Sequence, residues 1–335
     1  MGKHGQGTVL LSRSELKKAW GGDVEGLVDA VEYGFREYAA GRVILPEKAS
    51  QVFDEVTQDR INCMPSTVRG LGLAGVKWVS VFPENPGLRG MRNVGGAMLL
   101  SSIEDGSTVA AMDASMLTAL RTAAVDALAS RYLAKSEVRS IALVGTGEQA
   151  AFHARLLAPA GSGVEVHVSG RTAAHADVLA EELRAEGLDA SSFGSDMASA
   201  VRGTDTVVTA ISGQEPVLKA DWLEGGALYC HVGGWEDEYA VAKKADMIVC
   251  DNWHALKHRG SPTIARMYME GLLGDEDVRA DLHEVVTGGK TGRTSDDQFI
   301  YFNAIGLSFV DVCVAAWLLE QARALGLGQT FDFGK

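Results

Sequence analysis

A glycine-rich turn near the middle of the chain limits the fold more than any other feature. The apolar run Ile141–Val144 leads directly into the hexapeptide at 145–150, GTGEQA, and a helical pattern follows. In a G-x-G-x-x-G/A pattern the first glycine permits a tight turn, the second lets a pyrophosphate approach the backbone, and the small third residue keeps the helix near the sheet. The N–H groups at such a helix start bind phosphates. The sequence therefore predicts a Rossmann dinucleotide-binding domain.

The order of the other segments predicts an α/β protein with two domains in 335 residues. From residue 140 onward strands alternate with helices, which is typical of a parallel, doubly wound sheet. Between residues 43 and 110 short strands follow one another, with prolines such as Pro65 as turn signals, and this favours an antiparallel sheet. Helical spacing covers 13–40 and 114–134, and a last apolar helix at 303–326 returns to the first domain.

Composition excludes several classes of partner. The net charge of −13 argues against nucleic acid, whose phosphates require a basic face, and against an anionic membrane surface. No apolar run reaches the about 18 residues that span a bilayer, and residues 1–7 lack the apolar stretch of a signal peptide. We therefore expect a cytoplasmic protein.

The cysteines give no sign of a metal or of a redox pair. Cys63, Cys230, Cys250 and Cys313 are far apart and form no C-x-x-C motif. We expect buried free thiols in a reducing compartment. No carboxylate cluster has the spacing of metal ligands, so no metal is expected.

The second strand of the predicted parallel sheet bears on the choice between NAD and NADP. In NAD-selective sites an Asp or Glu at this strand end binds the ribose 2′-hydroxyl. Here the strand at 164–168 ends in Ser169, Gly170, Arg171 and Thr172, without an acid. Arg171 with Ser169 and Thr172 could bind a 2′-phosphate, although Arg171 could instead stack on the adenine or face solvent. The pattern favours NADP(H) as the cofactor.

Three segments resemble the ornithine cyclodeaminase/mu-crystallin family: AGVKW at 74–78, MDASMLTALRTAA at 112–124, and GTGEQA at 145–150. The similarity continues over nearly the whole chain, including the Gly pair at 233–234. The resemblance implies a homodimer whose subunits each have a Rossmann domain, here at 125–303. It also implies an antiparallel α+β domain for substrate binding and dimerisation, here at 1–124 with the C-terminal helix 304–335.

The pattern and the resemblance together predict a set of cofactor-binding residues at the glycine turn, at the strand ends and in the helix before them. This set is Thr122, Gly145, Thr146, Gly147, Glu148, Gln149, Ser169, Arg171, Thr172, Thr209, Ala210, Ile211 and Gly233.

The resemblance further implies a substrate with an α-amino or α-imino carboxylate, surrounded by the cations Lys48, Lys77 and Arg121. An Arg presents a planar fork to a carboxylate, and a Lys in an apolar strand is costly to bury unless an anion is near. Arg92, in a glycine-rich stretch, is a further candidate for this pocket. Alternatively, Lys77 faces solvent on its strand, Arg121 forms a structural ion pair, and Lys48 and Arg92 lie in surface loops.

One position departs from the cyclodeaminases. In that branch an Asp follows the Gly pair and acts on the substrate amino group, whereas Trp235 stands here, before Glu236 and Asp237. Lys77 is the candidate for proton transfer, since burial lowers the pKa of a Lys toward neutrality. Glu236, Asp237 or His258 is the candidate for its partner. The segment 250–260 resembles instead the sub-branch with the dehydrogenases of 2,3-diaminopropionate biosynthesis, which oxidise an opine-like secondary amine.

The sequence thus predicts an NAD(P)-dependent oxidoreductase acting on the C–N bond of an amino or imino acid. It would be an amino-acid or opine-type dehydrogenase, or a cyclic-imine reductase, in specialised metabolite biosynthesis. A cyclodeaminase with tightly bound NAD is the first alternative, which Trp235 disfavours. A non-catalytic, crystallin-like binding protein is the second, which the cations Lys77 and Arg121 disfavour.

Overall fold

The computed structural model describes residues 7–213 and 215–333. The segment 1–6, part of the stretch that lacks a signal-peptide pattern, lies outside the described residues, as do Gln214 and 334–335. The chain divides into two compact units, the first Met1–Arg121 with Leu307–Lys335 and the second Thr122–Gly306. The division falls at 121 and 307, whereas the domain limits predicted above lie at 124 and 304.

The helices and strands follow one another in chain order. The part before residue 122 contains β1 (Thr8–Leu11), α1 (Arg13–Trp20), α2 (Val24–Ala39), β2 (Val43–Ile44), β3 (Ala49–Asp54), β4 (Asp59–Val68), β5 (Leu73–Val81), α3 (Asn85–Arg89), β6 (Val94–Ser102), β7 (Thr108–Asp113) and the start of α4 (Ala114–Leu133). The second unit continues with β8 (Ser140–Val144), α5 (Glu148–Leu157), β9 (Glu165–Ser169), α6 (Ala173–Ala185), β10 (Asp189–Ser192), α7 (Met197–Val201), β11 (Thr206–Thr209), β12 (Leu228–His231), α8 (Tyr239–Lys244), β13 (Met247–Cys250), α9 (Trp253–Leu256), α10 (Thr263–Met269), β14 (Val278–Asp281), α11 (Leu282–Val286) and β15 (Ile300–Asn303). The chain closes with α12 (Ser308–Ala324) and β16 (Gln329–Phe331).

The first unit is built on one mixed sheet, in the order β16-β1-β7-β6-β5-β4-β2, with β3 also paired to β4. All of these pairings are antiparallel except the parallel pairing of β1 with β7. The apolar helix α12 packs on β4, β5 and β6 and on α2. The ring of Phe309 on α12 contacts Phe35 edge-on and stacks on Tyr38. The helical pattern at 13–40 breaks into two helices because Gly21 ends α1 in the left-handed conformation, at φ +57°.

Pro65 lies inside β4, which corrects its interpretation as a turn signal. β4 pairs with β5 from Arg60 to Val68. On its other edge, β3 pairs with residues 59–63 and β2 with residues 67–68, so neither of these strands reaches 64–66. A proline has no N–H to donate, and this gap in the pairing accommodates it. The carbonyl oxygen of Pro65 accepts a hydrogen bond from Ser308 Oγ at 2.7 Å.

The second unit is a parallel sheet in the order β10-β9-β8-β11-β12-β15-β13-β14. The chain runs outward from β8 to β10 and then returns to β11 on the other side of β8, so the topological switch point lies between β8 and β11. Ligands of such sheets bind at the carboxyl ends of the strands at this point. The predicted helix at 303–326 begins at Ser308, because Ile300–Asn303 forms a buried strand between β12 and β13. Within 7–213 and 215–333, no helix is long and apolar enough to span a membrane.

Candidate active site

The glycine-rich turn lies at the switch point of the parallel sheet. β8 ends at Val144, and Gly145 then adopts φ +135°, where a Cβ would stand 2.4 Å from the carbonyl oxygen of Ala210. A Cβ on Gly147 would meet nothing within 4 Å, so this stretch of backbone faces open space. Gly147 is also the N-cap of α5 and has no side chain to cap the helix. The turn therefore fits a phosphate that binds at the N-terminus of α5.

The end of β9 presents a cation to solvent. Arg171 and Thr172 are exposed. Ser169 is fully buried, and its hydroxyl donates to the carbonyl oxygen of Leu143 at 3.0 Å. The Ser169 hydroxyl thus joins two strands of the sheet. The part of Ser169, Arg171 and Thr172 in binding a 2′-phosphate stays a prediction.

A buried carboxylate joins the ends of β11 and β12. Glu236 Oε1 accepts from the backbone N–H of Ile211 at 2.8 Å. Its Oε2 accepts from Thr209 Oγ1 at 2.7 Å and from the backbone N–H of Gly233 at 2.9 Å. Burial raises the pKa of Glu236 to about 8, although the three donors oppose this rise. Glu236 thus holds two loops that the sequence analysis assigned to the cofactor.

The neighbouring Asp237 belongs to a buried hydroxyl network. Its Oδ1 accepts from Thr263 at 2.6 Å, from Tyr301 at 3.2 Å and from Tyr229 at 3.3 Å. Burial raises the pKa of Asp237 to about 7. Both side chains are buried and bind strand ends and hydroxyls of their own unit, and their predicted role in proton transfer stays a prediction.

Lys77, Arg121 and Asp311 form a charged cluster in the first unit. Lys77 Nζ donates to Asp311 Oδ1 at 2.7 Å, and both side chains are 1% exposed. Arg121 Nε lies 3.3 Å from the same oxygen, and its side chain is 11% exposed. Burial, and next the charge of Arg121, lower the pKa of Lys77 to about 8, and Asp311 opposes this fall. Lys77 is therefore a buried cation, so the alternative of a solvated strand face is wrong.

Asp311 is the member of this cluster to which the sequence analysis gave no role. It lies on the apolar helix α12, as Lys77 lies on an apolar strand. An isolated acid and an isolated base in two buried segments are a signal of a buried pair, because each is costly to bury alone. Lys48 lies half-buried just before β3, and Arg92 lies exposed just before β6. Their role in substrate binding stays a prediction.

The other titratable side chains add no metal centre to these clusters. In the part of the chain that the structure describes, no three His, Cys, Asp or Glu residues come together to hold a metal ion. All four cysteines are free thiols. Cys230, Cys250 and Cys313 are buried and Cys63 is half-buried.

Fold and clusters together define an α/β protein with a Rossmann sheet and a second, largely antiparallel sheet. The chain belongs to the ornithine cyclodeaminase/mu-crystallin family, whose family model matches residues 9–325. This confirms the resemblance found in the sequence.

The relatives include dehydrogenases and reductases. An archaeal alanine dehydrogenase, solved as a dimer with bound NAD, is 32% identical, with 98% of this chain and 99% of that chain covered and a TM-score of 0.87. The Δ1-pyrroline-2-carboxylate reductase of Thermococcus litoralis, solved with NADH and L-proline, is 26% identical over 97% of this chain and all of that chain, with a TM-score of 0.90. The N-((2S)-2-amino-2-carboxyethyl)-L-glutamate dehydrogenase of Staphylococcus aureus is 27% identical over 97% of this chain and 98% of its own length.

Replacing Glu236 by Gln tests its role in joining the strand ends. We expect Glu236→Gln to lower the free energy of unfolding by about 1–3 kcal/mol, because the amide nitrogen cannot accept the hydrogen bonds that a carboxylate oxygen accepts. Amide hydrogen exchange at Ile211 and Gly233 should become faster, as measured by NMR or mass spectrometry. The exposed Glu224→Gln is the matched control and should change neither quantity. Unchanged exchange at both amides in Glu236→Gln would contradict the assignment.

Proposed function

We propose that this protein is an NAD(P)-dependent oxidoreductase that acts on the carbon–nitrogen bond of an α-amino or α-imino acid. The observation that carries the proposal is the pairing of Lys77 and Arg121 on one buried carboxylate, Asp311, in a chain that also has the dinucleotide turn at Gly145. Family membership and the dehydrogenases and reductases among its relatives support the same reaction type.

The charged cluster suits a substrate carboxylate. Two cations face one anion, which leaves a net positive charge that attracts an anionic substrate. Arg121 directs Nε toward Asp311, and its two terminal nitrogens form the fork that matches a carboxylate. Lys77 uses one of its three N–H groups on Asp311, so its ammonium has further donors for a ligand. We assign both residues to substrate binding on these grounds.

The chain's own part in the chemistry is to hold the substrate and to move one proton. When bound, a nicotinamide dinucleotide exchanges a hydride with the α-carbon. In the oxidising direction the amine also loses a proton as the C=N bond forms, and in the reducing direction the imine nitrogen gains one. Lys77 is the group we assign to this proton, because its pKa of about 8 allows both protonation states near neutral pH.

Trp235 distinguishes this reaction from ring closure with loss of ammonia. It stands where cyclodeaminases carry the Asp that acts on the substrate amino group, and its indole packs against the guanidinium of Arg266 at 4.2 Å. An indole cannot accept a proton from an amine as a carboxylate can. The substrate class we propose is therefore an α-imino acid or its amine. A 2-oxo acid with an amine donor is the equivalent pair.

A substrate panel tests the proposed function. The purified protein should oxidise NADH or NADPH with at least one of pyruvate plus ammonia, Δ1-pyrroline-2-carboxylate, or a 2-oxo acid plus an amino-acid amine donor. Arg121→Lys should lower kcat/KM about 30- to 100-fold, mainly through a higher KM, because a Lys cannot make two parallel hydrogen bonds. The measurement is the absorbance of the reduced nicotinamide.

Arg131→Lys, on the exposed face of the same helix, is the control and should leave kcat/KM unchanged. Release of ammonia from ornithine or lysine without added cofactor would identify a cyclodeaminase instead. Saturable binding of imino acids without turnover of any pair would identify a binding protein.

For the cofactor we propose a preference for NADP(H), supported by the exposed Arg171 at the end of β9, where no acid is present. Arg171→Asp should raise the KM for NADPH about 10- to 100-fold and leave the KM for NADH within about threefold of the wild-type value, because the change removes a phosphate contact and adds a repulsive charge. The charge-retaining Arg171→Lys should keep most of the preference. Equal kcat/KM values for NADH and NADPH in the wild-type protein would contradict this assignment.

We also propose that two copies of the chain associate through the sheet of the first unit. Side chains alternate between the two faces of the sheet along β5 and β6. Trp78 (44% exposed) and Leu99 (39% exposed) lie on the exposed face. Large exposed apolar surfaces mark association sites, and the archaeal relative forms a dimer. Sedimentation analysis should give twice the 35.5 kDa chain mass, and Trp78→Glu with Leu99→Glu should give monomers. A wild-type monomer at micromolar concentration would contradict the proposal.

A further inference from the structure

One carboxylate on α12 lies at the centre of the charged cluster. Asp311 Oδ1 contacts both Lys77 Nζ and Arg121 Nε. We infer that Asp311 is a positioning residue for the proposed reaction, which fixes the Lys77 ammonium and the Arg121 guanidinium in the orientation that receives the substrate carboxylate. This inference rests on the proposed function, and it assigns a role to a residue outside the predicted site.

The two carboxylate oxygens of Asp311 have different surroundings. Its Oδ1 is shared by the two cations, whereas its Oδ2 is buried and receives no hydrogen bond from the described residues. Arg121 Nε likewise lies within ion-pair distance of Oδ1 but outside hydrogen-bond geometry. A buried carboxylate with an unsatisfied oxygen is costly. Its location is therefore better explained by what it does to Lys77 and Arg121 than by stability.

Within 7–213 and 215–333, Asp311 is the one anion that acts on the pKa of Lys77. Among the described residues, the charges that shift the Lys77 pKa are Arg121 from α4 and Asp311 from α12. The residues opposite Lys77 on β4 and β6 are the apolar Met64 and Met98.

Two further titratable groups lie near α12. Cys313, on the same helix, is buried, and Asp311 and Glu37 of α2 both act on its pKa. Glu37 is itself paired with Arg42 at the end of α2. Neither Cys313 nor Glu37 acts on the pKa of Lys77, so the described part of the chain offers no second anion that would compensate for a change at Asp311.

Asp311 acts on both the protonation of Lys77 and the position of Arg121. Burial and Arg121 both disfavour a charged Lys77, and Asp311 opposes them, so Lys77 keeps its proton to a higher pH than it would without Asp311. Arg121 Nε lies 3.3 Å from the same oxygen, so one anion faces both the ammonium of Lys77 and the guanidinium of Arg121. Asp311 thereby positions both the proton donor, Lys77, and the guanidinium that binds the substrate carboxylate, Arg121.

The test compares pH profiles of imine reduction. Because this direction requires a protonated Lys77, kcat/KM falls as the pH rises through its pKa. Asp311→Asn removes the anion, so this fall should occur at least about one pH unit lower, and the KM for the carboxylate substrate should rise about tenfold. Asp311→Glu keeps the charge and should restore the pH at which kcat/KM falls, but its longer side chain moves the carboxylate, so the KM should stay raised. Glu320→Gln, an exposed acid-to-amide change on the same helix, should leave both unchanged.

A direct titration separates this inference from the proposed function. The pKa of Lys77 is followed by NMR of 13C-labelled lysine side chains, with the Lys77 signal assigned by its loss in Lys77→Met. Asp311→Asn should lower that pKa, and Arg121→Gln should raise it. This measurement needs no turnover, so it holds even if every substrate pair fails.

Two results would overturn the inference. One is a folded Asp311→Asn protein, verified by circular dichroism, whose pH profile or Lys77 titration matches the wild type. If Asp311→Asn does not fold, Asp311→Glu provides the test. A KM for the carboxylate substrate equal to the wild-type value would then show that the position of this carboxylate is irrelevant to Arg121, and the inference would be wrong.

Discussion

The burial of charge is the constraint on which both units of this protein depend. In the first unit an ammonium and a carboxylate, Lys77 and Asp311, are almost fully removed from solvent and lie 2.7 Å apart. Neither could remain charged there alone, since the cost of desolvating a single ion is several kcal/mol. The ion pair of Lys77 with Asp311 therefore joins β5 to α12. Arg121, which is less buried, makes a second contact with Asp311.

The second unit meets the same constraint with a different solution. Among the described residues, no lysine or arginine pairs with the buried Glu236 or Asp237, and each is held by hydroxyl or amide donors around it. Burial raises the pKa of both carboxyl groups, and the hydroxyl and amide donors oppose that rise. The result is a set of joined strand ends at the carboxyl edge of the sheet, where the glycine turn also lies. A bound cofactor would meet loops that are already ordered, which favours binding by preorganisation.

Much of the fold could be predicted because its signals are local. The turn at Gly145 and Gly147 needs only short-range geometry, and the alternation of strands and helices after residue 140 follows from periodicity. The errors occur where pairing partners are distant in sequence. Pro65 resembles a turn residue until β2 and β3 are seen to leave a gap beside it. The strand Ile300–Asn303 resembles the start of a helix because a short strand buried on both faces has no period of its own.

In the candidate site, too, the features carried by neighbouring residues could be predicted, and the contacts between distant residues could not. The family and the dinucleotide turn follow from residues close together in the chain, and so does the choice of Lys77 and Arg121 as candidates. The partner of Lys77 does not, because Asp311 lies 234 residues away, and neither does the enclosure of Glu236 by Thr209, Ile211 and Gly233. The sequence by itself determined which chemical groups the protein has available. Only the tertiary structure decided which carboxylate pairs with a cation and which joins strand ends, because burial and proximity decide the charge and the contacts of an ionisable group.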